Sequence, residues 1–352
     1  MKASSEKRMN SVKMDSVTIS IQTVSVAAAT QQFDMWFELT GSDEAGAIQV
    51  KRTFIEFSTL QSLLQRRWPG FIIPPVLTRR MSPEDLPRSL ELFMQRLAEL
   101  RAVYTASETQ RFLRSPRAYA DVVRDLTSDV HCIALTYESV LNDYYRQSFS
   151  QNLLTELVEY RRALQLNETQ LKQVVQQVRQ VTKAHQGFEK EYLRWLAMLE
   201  AFGQGQEPEL PVFEPIDEYA MVADWAETEL RETRAALLAL TQIIRIDEHR
   251  RRLLVKQETQ QVAIADLSDS RKFFSKQKTW ERKQQALSQT VEEIRDYSQV
   301  LKVAVRVLHS EELPRFETRK KTRHQALLTA VSDFAENYFH SLVDIVQFKF
   351  NI

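Results

Sequence analysis

Short stretches near the start of the chain carry the apolar pattern of β-strands. Residues 17–21 alternate apolar and polar side chains, as a half-buried strand does, and 33–39 and 48–54 are further candidates. Between the last two, residues 41–46 combine two glycines with Ser, Asp and Glu, which is the turn chemistry of a hairpin. The pattern predicts a small antiparallel sheet.

Helical spacing follows the strands. Residues 57–68 place Phe57 and three leucines on one stripe, so we expect a helix there. Prolines crowd 69–87, which predicts a loop, and Pro87 can open the next helix as its first residue. A short helix through Phe112 and Leu113 then closes this first part of the chain.

From about residue 119 onward, long helical patterns replace the strand pattern. One clear break, at 203–215, holds glycines and prolines. Residues 216–264 then repeat apolar or small side chains at steps of three and four, and a further stripe runs from Trp280 to Tyr338. A helix of about 49 residues is about 70 Å long, far longer than the helices of compact domains. We therefore expect long antiparallel helices that bury their stripes against one another, and often against a second copy.

The composition fits a folded chain of two domains. The chain has 352 residues, of which 43% are hydrophobic and 27% are charged, and its formal net charge is zero. Residues 1–117 carry 16 basic and 12 acidic side chains, so the remainder is acidic overall. The single cysteine, Cys132, excludes an intrachain disulfide and fits a reducing compartment. Because no long apolar run occurs, we expect neither a signal peptide nor a bilayer-spanning helix.

Two motifs in the first part of the chain point to a known module. Residues 51–57 read KRTFIEF, and residues 68–75 read WPGFIIPP. Together they resemble the core signature of the PX domain, the phosphoinositide-reading module of sorting nexins. In that family a basic pair precedes aromatic-x-x-Phe, and one helix later a Pro-Gly-apolar-apolar-Pro-Pro loop returns to the lipid pocket. The chain has both motifs in the family's order.

The long helices after this signature resemble those of a sorting nexin of the PX-BAR type, closest to the retromer-associated members. Two short stretches resemble the family's sequence: residues 195–199, at the end of the first long helix, and residues 315–317, in the last one. The resemblance implies an α+β PX domain, with a small antiparallel sheet plus helices, and then an all-α BAR domain of three long antiparallel helices that form a curved dimer. The expected parts are a disordered tail at 1–15, the PX domain at 16–117, a linker helix at 118–148 and the BAR domain at 149–352.

The resemblance also implies a phosphoinositide pocket, with two departures from the family. The arginine that holds the 3-phosphate normally directly precedes the aromatic residue, where this chain has Thr53. A shift of one residue along a strand points a side chain to the opposite face, so the neighbouring arginine can substitute only if a bulge re-aims it. Leu86 stands where the last pocket arginine is expected. The candidate pocket residues are Arg52, Phe54, Arg79 and Arg88.

The resemblance also gives Phe54 and Arg79 specific positions in this pocket. Phe54 either stacks on the inositol ring or is an ordinary core aromatic. Arg79 takes the position of the family's lysine for the 1-phosphate. Beyond the proline pair, three apolar residues either insert shallowly into a bilayer or pack within the loop. These are Val76, Leu77 and Met81.

Basic residues on the long helices suggest a membrane-facing surface. Residues 245–283 hold eleven basic and six acidic side chains around a turn at 267–270 that would form the distal tip of a BAR dimer. Each cation near an anionic leaflet contributes about 1 kcal/mol. The alternative is a solvated helix face with salt bridges at i,i+4. The candidates are Arg251, Arg252, Lys256, Arg271, Lys272, Lys276 and Lys278, with Arg319, Lys320, Lys321 and Arg323 on the third helix.

The function implied by the resemblance is that of a cytoplasmic protein held peripherally on endosomal membranes. It would dimerise through its BAR helices, bind phosphatidylinositol 3-phosphate or another anionic lipid, and bend membrane into tubules for retromer-type cargo sorting. Expected partners are a second copy or another PX-BAR sorting nexin, and the retromer core. The alternative is a dimerising scaffold whose degenerate PX domain binds protein, with a partner subunit supplying lipid specificity.

The residues do not indicate catalysis. The six histidines are scattered without metal-ligand spacing, and the six glycines form no phosphate-binding loop. No nucleophile and base constellation suggests a triad. We therefore expect no enzyme activity, no cofactor, no metal and no nucleic-acid partner.

Overall fold

The computed structural model describes most of the chain and divides it into two units. Unit 1 comprises Met1–Ser150 and Gln242–Val307, and unit 2 comprises Gln151–Thr241 and Leu308–Ile352. The described residues are 17–25, 35–76, 85–124, 126, 129–146, 148, 151–202, 218–268 and 277–350.

Unit 1 begins with the predicted three-stranded antiparallel sheet. Its order is β1 (Thr18–Ser25), β2 (Trp36–Asp43) and β3 (Gly46–Thr53). The hairpin turn is shorter than predicted, because β2 continues to Asp43, whose Oδ1 accepts a hydrogen bond from Ala45 N at 2.8 Å. The inner face of the sheet is apolar and buried, with Ile19, Ile21, Phe37, Leu39, Ile48 and Val50.

Four helices follow the sheet, namely α1 (Phe54–Arg67), α2 (Asp85–Glu99), α3 (Arg101–Tyr104) and α4 (Ser107–Arg114). The first begins three residues before the predicted start at Phe57. The second begins at Asp85, so the prediction that Pro87 is its first residue was wrong. The core of this region centres on Phe57. Its ring meets Phe37, Phe93 and Phe112 edge-on, with centroid distances of 6.3, 6.3 and 5.0 Å.

The predicted long helices are confirmed. They are α8 (Gln151–Phe202), α9 (Glu218–Ser268), α10 (Gln277–Val307) and α11 (Leu313–Phe350), with a π-helical turn at Leu308–Glu312 between the last two. The helices α8 and α9 have 52 and 51 residues. The helix α8 ends at Phe202 and α9 begins at Glu218, which agrees with the predicted break at 203–215. The helix α9 continues through Ser268, so residues 267 and 268 of the turn predicted at 267–270 are helical, and residues 269–276 lie outside the described part of the chain.

A single linker helix over 118–148 is not observed. Instead there are three short helices, α5 (Tyr119–Arg124), α6 (Val130–Val140) and α7 (Asn142–Tyr145). Non-helical backbone interrupts them, with φ −116° and ψ 39° at Leu141. The middle helix packs on α10, because Ile133, Ala134 and Tyr137 are buried and His131 Nδ1 lies 2.9 Å from Asp296 Oδ2.

Within unit 2, polar side chains tie α9 to its neighbours. Arg234 Nε donates to Glu168 Oε1 of α8 at 3.0 Å. The buried Glu229 accepts from Arg323 Nε of α11 at 3.0 Å. Around these contacts the apolar stripes are buried, as the heptad-like spacing predicts. They include Leu157, Leu164, Ala226 and Phe316.

Candidate functional site

Arg52 lies in the core of the sheet region rather than in an open pocket. Its side chain is 2% exposed, and its guanidinium donates to main-chain carbonyls at and beyond the end of α4. The β2–β3 register is regular through Thr53, so no bulge re-aims the arginine toward the expected phosphate position. Burial lowers the pKa of Arg52, and the nearby Glu56 opposes that shift. The accepting carbonyls belong to Phe112 at 2.9 Å, Ser115 at 2.6 Å, Lys51 at 3.0 Å, Arg117 at 3.4 Å and Arg111 at 3.5 Å.

Thr53, in the position of the family's phosphate-binding arginine, caps α1. Its Oγ1 accepts a hydrogen bond from Glu56 N at 3.3 Å, and Glu56 Oε2 accepts one from Thr53 N at 2.8 Å. This reciprocal pair is a capping box, and it explains why α1 starts earlier than its apolar stripe. The residue therefore stabilises the helix that carries Phe54.

Replacing Thr53 by alanine is expected to lower the free energy of unfolding by about 1 kcal/mol, because the cap hydrogen bond is lost. Calorimetric unfolding of the full chain measures this. The matched control is Thr59→Ala, because the Thr59 hydroxyl donates to Ile55 O of the same helix and has no other partner among the described residues. Equal shifts in the two variants would show that the capping box contributes nothing.

The remaining pocket candidates are not brought together in the described structure. Phe54 is 2% exposed, which matches the core-aromatic reading and not an open stacking surface. On α2, Leu86 is buried beside the core while Arg88 is exposed. Arg79 lies outside the described residues.

The loop after α1 is held by α1 itself. Gln61 Nε2 donates to Pro74 O at 2.9 Å. Val76 is 5% exposed, so it packs within the loop in this structure and does not project from it. The other two candidates for membrane insertion, Leu77 and Met81, lie outside the described residues.

The Trp-Pro-Gly turn of the second motif packs on the linker and on α10. The Trp68 ring lies 5.7 Å from that of Tyr137, whose hydroxyl donates to Pro69 O. Gly70 has φ +95°, and a Cβ built on it would lie 2.6 Å from Ala304 O of α10. A family signature that was expected to serve the lipid loop therefore also joins this region to α10.

The basic candidates on the helices differ in whether an ion pair already neutralises their charge. In unit 1, Arg251 pairs with Asp247 at 2.7 Å, whereas Arg252, Lys256 and Lys278 are exposed and carry no ion pair within the described part of the chain. Arg271, Lys272 and Lys276 lie outside that part.

In unit 2, the second predicted basic cluster is only partly open to solvent. Arg323 bridges to the buried Glu229 at 2.8 Å, so its charge is used inside the helix packing. Lys321 is exposed, and Arg319 and Lys320 are half-buried.

One cavity beside the sheet was not predicted. It has a volume of about 540 Å³ and lies next to β3. One of its lining residues is aromatic, namely Trp36, which is 46% exposed. The sequence signal that could have indicated this cavity was a tryptophan at a strand position that the alternating pattern directs toward solvent. The cavity is lined by Trp36, Glu38, Gln49, Val50, Lys51, Arg52, Glu56, Pro116, Arg117 and Ala118.

None of the helices described has a stretch that is long and apolar enough to cross a membrane. No group of three or more His, Cys, Asp or Glu side chains is placed to hold a metal ion in that same part of the chain.

The family model of the PX domain matches residues 41–116. This part of the chain is a PX domain, and the predicted order of a small antiparallel sheet with helices followed by a long-helical region is confirmed. Among solved structures, the chain is similar to the cryo-EM structure of the SNX-BAR Mvp1 tetramer. The identity is 11% and the TM-score 0.49, over 92% of this chain and 99% of that one. A comparison with curated proteins finds no match.

Proposed function

We propose that the protein is a PX-BAR sorting nexin that binds membrane peripherally and promotes its curvature. The observation that carries the proposal is a PX domain followed by helices of 52 and 51 residues and a third helical run from Gln277 to Phe350. Helices of this length bury their stripes against neighbouring helices or a second copy. The long-helical region is then a BAR domain and the working form is a dimer.

The proposed membrane contact is electrostatic and uses cations in the C-terminal third of α9 and in the first turn of α10, which have no ion pair within the described residues. Arg252 and Lys256 are four residues apart, so they share one face of α9. Lys278 lies in the first turn of α10, on the other side of the connection. Doubled in a dimer, such cations supply several kcal/mol of attraction to an anionic leaflet. Endosomal membrane from the cytoplasmic side, with retromer-type cargo sorting, is the setting that we propose.

The headgroup pocket is proposed to use Arg88 together with Arg79. Arg88 is exposed on α2 and carries no ion pair within the described residues. Phosphatidylinositol 3-phosphate is the proposed ligand. Guanidinium groups suit phosphate because their donors are arranged as a fork.

A second candidate function is favoured by the geometry of Arg52 and Thr53. Because the arginine donates to carbonyls and the threonine caps α1, neither faces a headgroup. The protein would then be a dimerising scaffold whose PX domain binds protein, and a partner subunit, such as another PX-BAR sorting nexin, would supply lipid specificity.

Sedimentation of the full chain with vesicles separates the two candidates. The vesicles have matched anionic charge, with and without phosphatidylinositol 3-phosphate. Binding that depends on the 3-phosphate supports the headgroup pocket. Binding that depends on charge alone supports the basic helices and a scaffold PX domain, and absence of binding overturns the membrane proposal for this chain by itself.

Charge reversal tests the proposed contact surface directly. The double variant Arg252→Glu/Lys256→Glu is expected to weaken binding to anionic vesicles by at least about tenfold, since each cation contributes about 1 kcal/mol. The matched control is Arg162→Glu/Lys183→Glu, the same charge change at exposed positions of α8. Dimerisation, followed by sedimentation equilibrium, should be unchanged in both. Equal loss of vesicle binding in the two variants would show that net charge, and not this surface, holds the membrane.

A further inference from the structure

One face of α9, near its C-terminal end, carries apolar side chains that the described part of the chain leaves uncovered. Among the large apolar side chains of the described residues, Val255 and Val262 are the most exposed, at 63% and 62%. They are seven residues apart, which is close to two helical turns, so they share one face of the helix. Apolar side chains that adjoin on one face form a patch that a partner can cover.

The opposite side of this part of α9 is already used within unit 1. Leu253 and Ile264 are buried, and each is two positions from one of the exposed valines, which places it about 200° around the helix. One turn earlier, the ring of His249 lies 4.5 Å from that of Tyr297 in α10. The helix therefore packs on its neighbour with one side and exposes the valines on the other.

The uncovered face has opposite charges at its two ends and a threonine in the middle. Arg252 is seven residues before Thr259, and Asp266 is seven residues after it. Both charged side chains are exposed, and neither forms an ion pair among the residues described. The Thr259 hydroxyl donates to Val255 O at 2.9 Å, so its proton is used within the helix. We call this face the α9 stripe, and it comprises Arg252, Val255, Thr259, Val262 and Asp266.

The order of these side chains makes the α9 stripe complementary to itself. When two such helices pack antiparallel about a two-fold axis at Thr259, Arg252 of each copy lies opposite Asp266 of the other. Val255 of each then lies opposite Val262 of the other, because these two residues are four before and three after the axis. A two-fold contact uses the same patch on both partners, so a patch with this symmetry fits a second copy.

We propose that the α9 stripe is a contact surface between two copies of this chain, packed antiparallel about Thr259. The valines supply the apolar contact, and the two pairs of Arg252 with Asp266 fix its direction. The inference goes beyond the proposed function, since it needs neither the PX domain nor the apolar stripes that the long helices bury. The patch is smaller than a standard interface, so the contact is weak unless the copies are held close together.

A lipid surface suits the α9 stripe less well than a second copy does. Asp266 belongs to the stripe and Glu258 lies beside it, and both carboxylates are exposed. Against an anionic leaflet these groups would be repelled, whereas in the antiparallel pair Asp266 meets a cation. Arg252 and Lys256 also form the proposed membrane surface, so the two surfaces adjoin on α9 and share Arg252.

Disulfide cross-linking of the full chain tests the two-fold axis. Thr259→Cys is introduced after Cys132→Ser has removed the native thiol, and a histidine tag concentrates the protein on neutral vesicles that carry a nickel-chelating lipid. The axis brings the same residue of two copies within disulfide reach. We therefore expect cross-linking at least tenfold faster than in the control Gln261→Cys, an exposed position on the other side of the same helix. Equal rates in the two variants overturn the proposal.

Charge exchange tests the antiparallel direction. Arg252→Asp and Asp266→Arg are each expected to slow the Thr259→Cys cross-link at least threefold, because each sets like charges against one another across the axis. The double variant should restore the parent rate, since it exchanges the two charges of every pair. Parallel packing, or a dimer formed elsewhere on the molecule, leaves the rate indifferent to both single changes, and that result contradicts the inference.

Vesicle sedimentation of Val255→Ser keeps this result apart from the proposed membrane function. We expect the variant to slow the cross-link and to bind anionic vesicles as the parent does. If it instead weakens vesicle binding and the parent forms no cross-link, the α9 stripe faces lipid, and the inference fails while the membrane function stands. If the cross-link forms and anionic vesicles are not bound, the membrane proposal fails and the contact between copies stands.

Discussion

Replacing Gly70 by alanine is expected to loosen the PX domain from α10 and to lower the melting temperature of the chain by several degrees. The backbone at Gly70 has φ +95°, which costs an L-residue about 1–2 kcal/mol. The added Cβ would also meet Ala304 O at 2.6 Å, closer than atoms pack. Backbone atoms of a helix cannot move aside alone, and overpacking of this kind costs about 1–3 kcal/mol.

Calorimetry measures the loss of stability, and hydrogen exchange of Val130–Val140 measures release of the linker. The matched control is Gly46→Ala. Gly46 has φ +115° but no atom within 4 Å of an added Cβ, so it carries the backbone strain without the contact. Exchange of α6 should accelerate in the Gly70 variant alone. The same change in both variants would mean that backbone strain, and not the lost contact with α10, causes the faster exchange.

Replacing Arg52 by alanine is expected to unfold the PX domain and not to weaken lipid binding selectively. The side chain is 2% exposed and donates to the carbonyls of Phe112, in the last turn of α4, and of Ser115, directly after that helix. Removing it leaves the buried carbonyl of Phe112 without this donor and opens a cavity, at a cost of about 4 kcal/mol. Thermal unfolding followed by circular dichroism and calorimetry measures the loss.

The neighbouring residue provides the control for Arg52. Lys51 is exposed and its ammonium has no partner in the described part of the chain, so Lys51→Ala should stay within about 0.5 kcal/mol of the parent. A stable Arg52→Ala variant that loses only 3-phosphate-dependent vesicle binding would contradict the structural role and restore the arginine to the headgroup pocket.

Local patterns in the sequence were sufficient for most elements of the fold. Alternation found the strands, and steps of three and four found the long helices, because those periods come from the backbone geometry of each element. Where prediction missed, the cause was chemical detail at an element's end. The helix α1 starts at Phe54 because Thr53 and Glu56 form a capping box, which the apolar stripe alone does not reveal. The linker breaks into three helices, which the apolar positions alone did not reveal.

The sequence by itself determined that this chain holds a PX signature followed by long helices, and that two pocket positions depart from the family. Only the tertiary structure decided what Arg52 does. Its buried partner, Phe112 O, lies 60 residues further along the chain, so no local pattern contains the contact. The same holds for the Trp-Pro-Gly turn against Ala304 and for the cavity beside β3. Each is made by packing segments that are distant in sequence, and side-chain chemistry there depends on which main-chain groups the fold brings within reach.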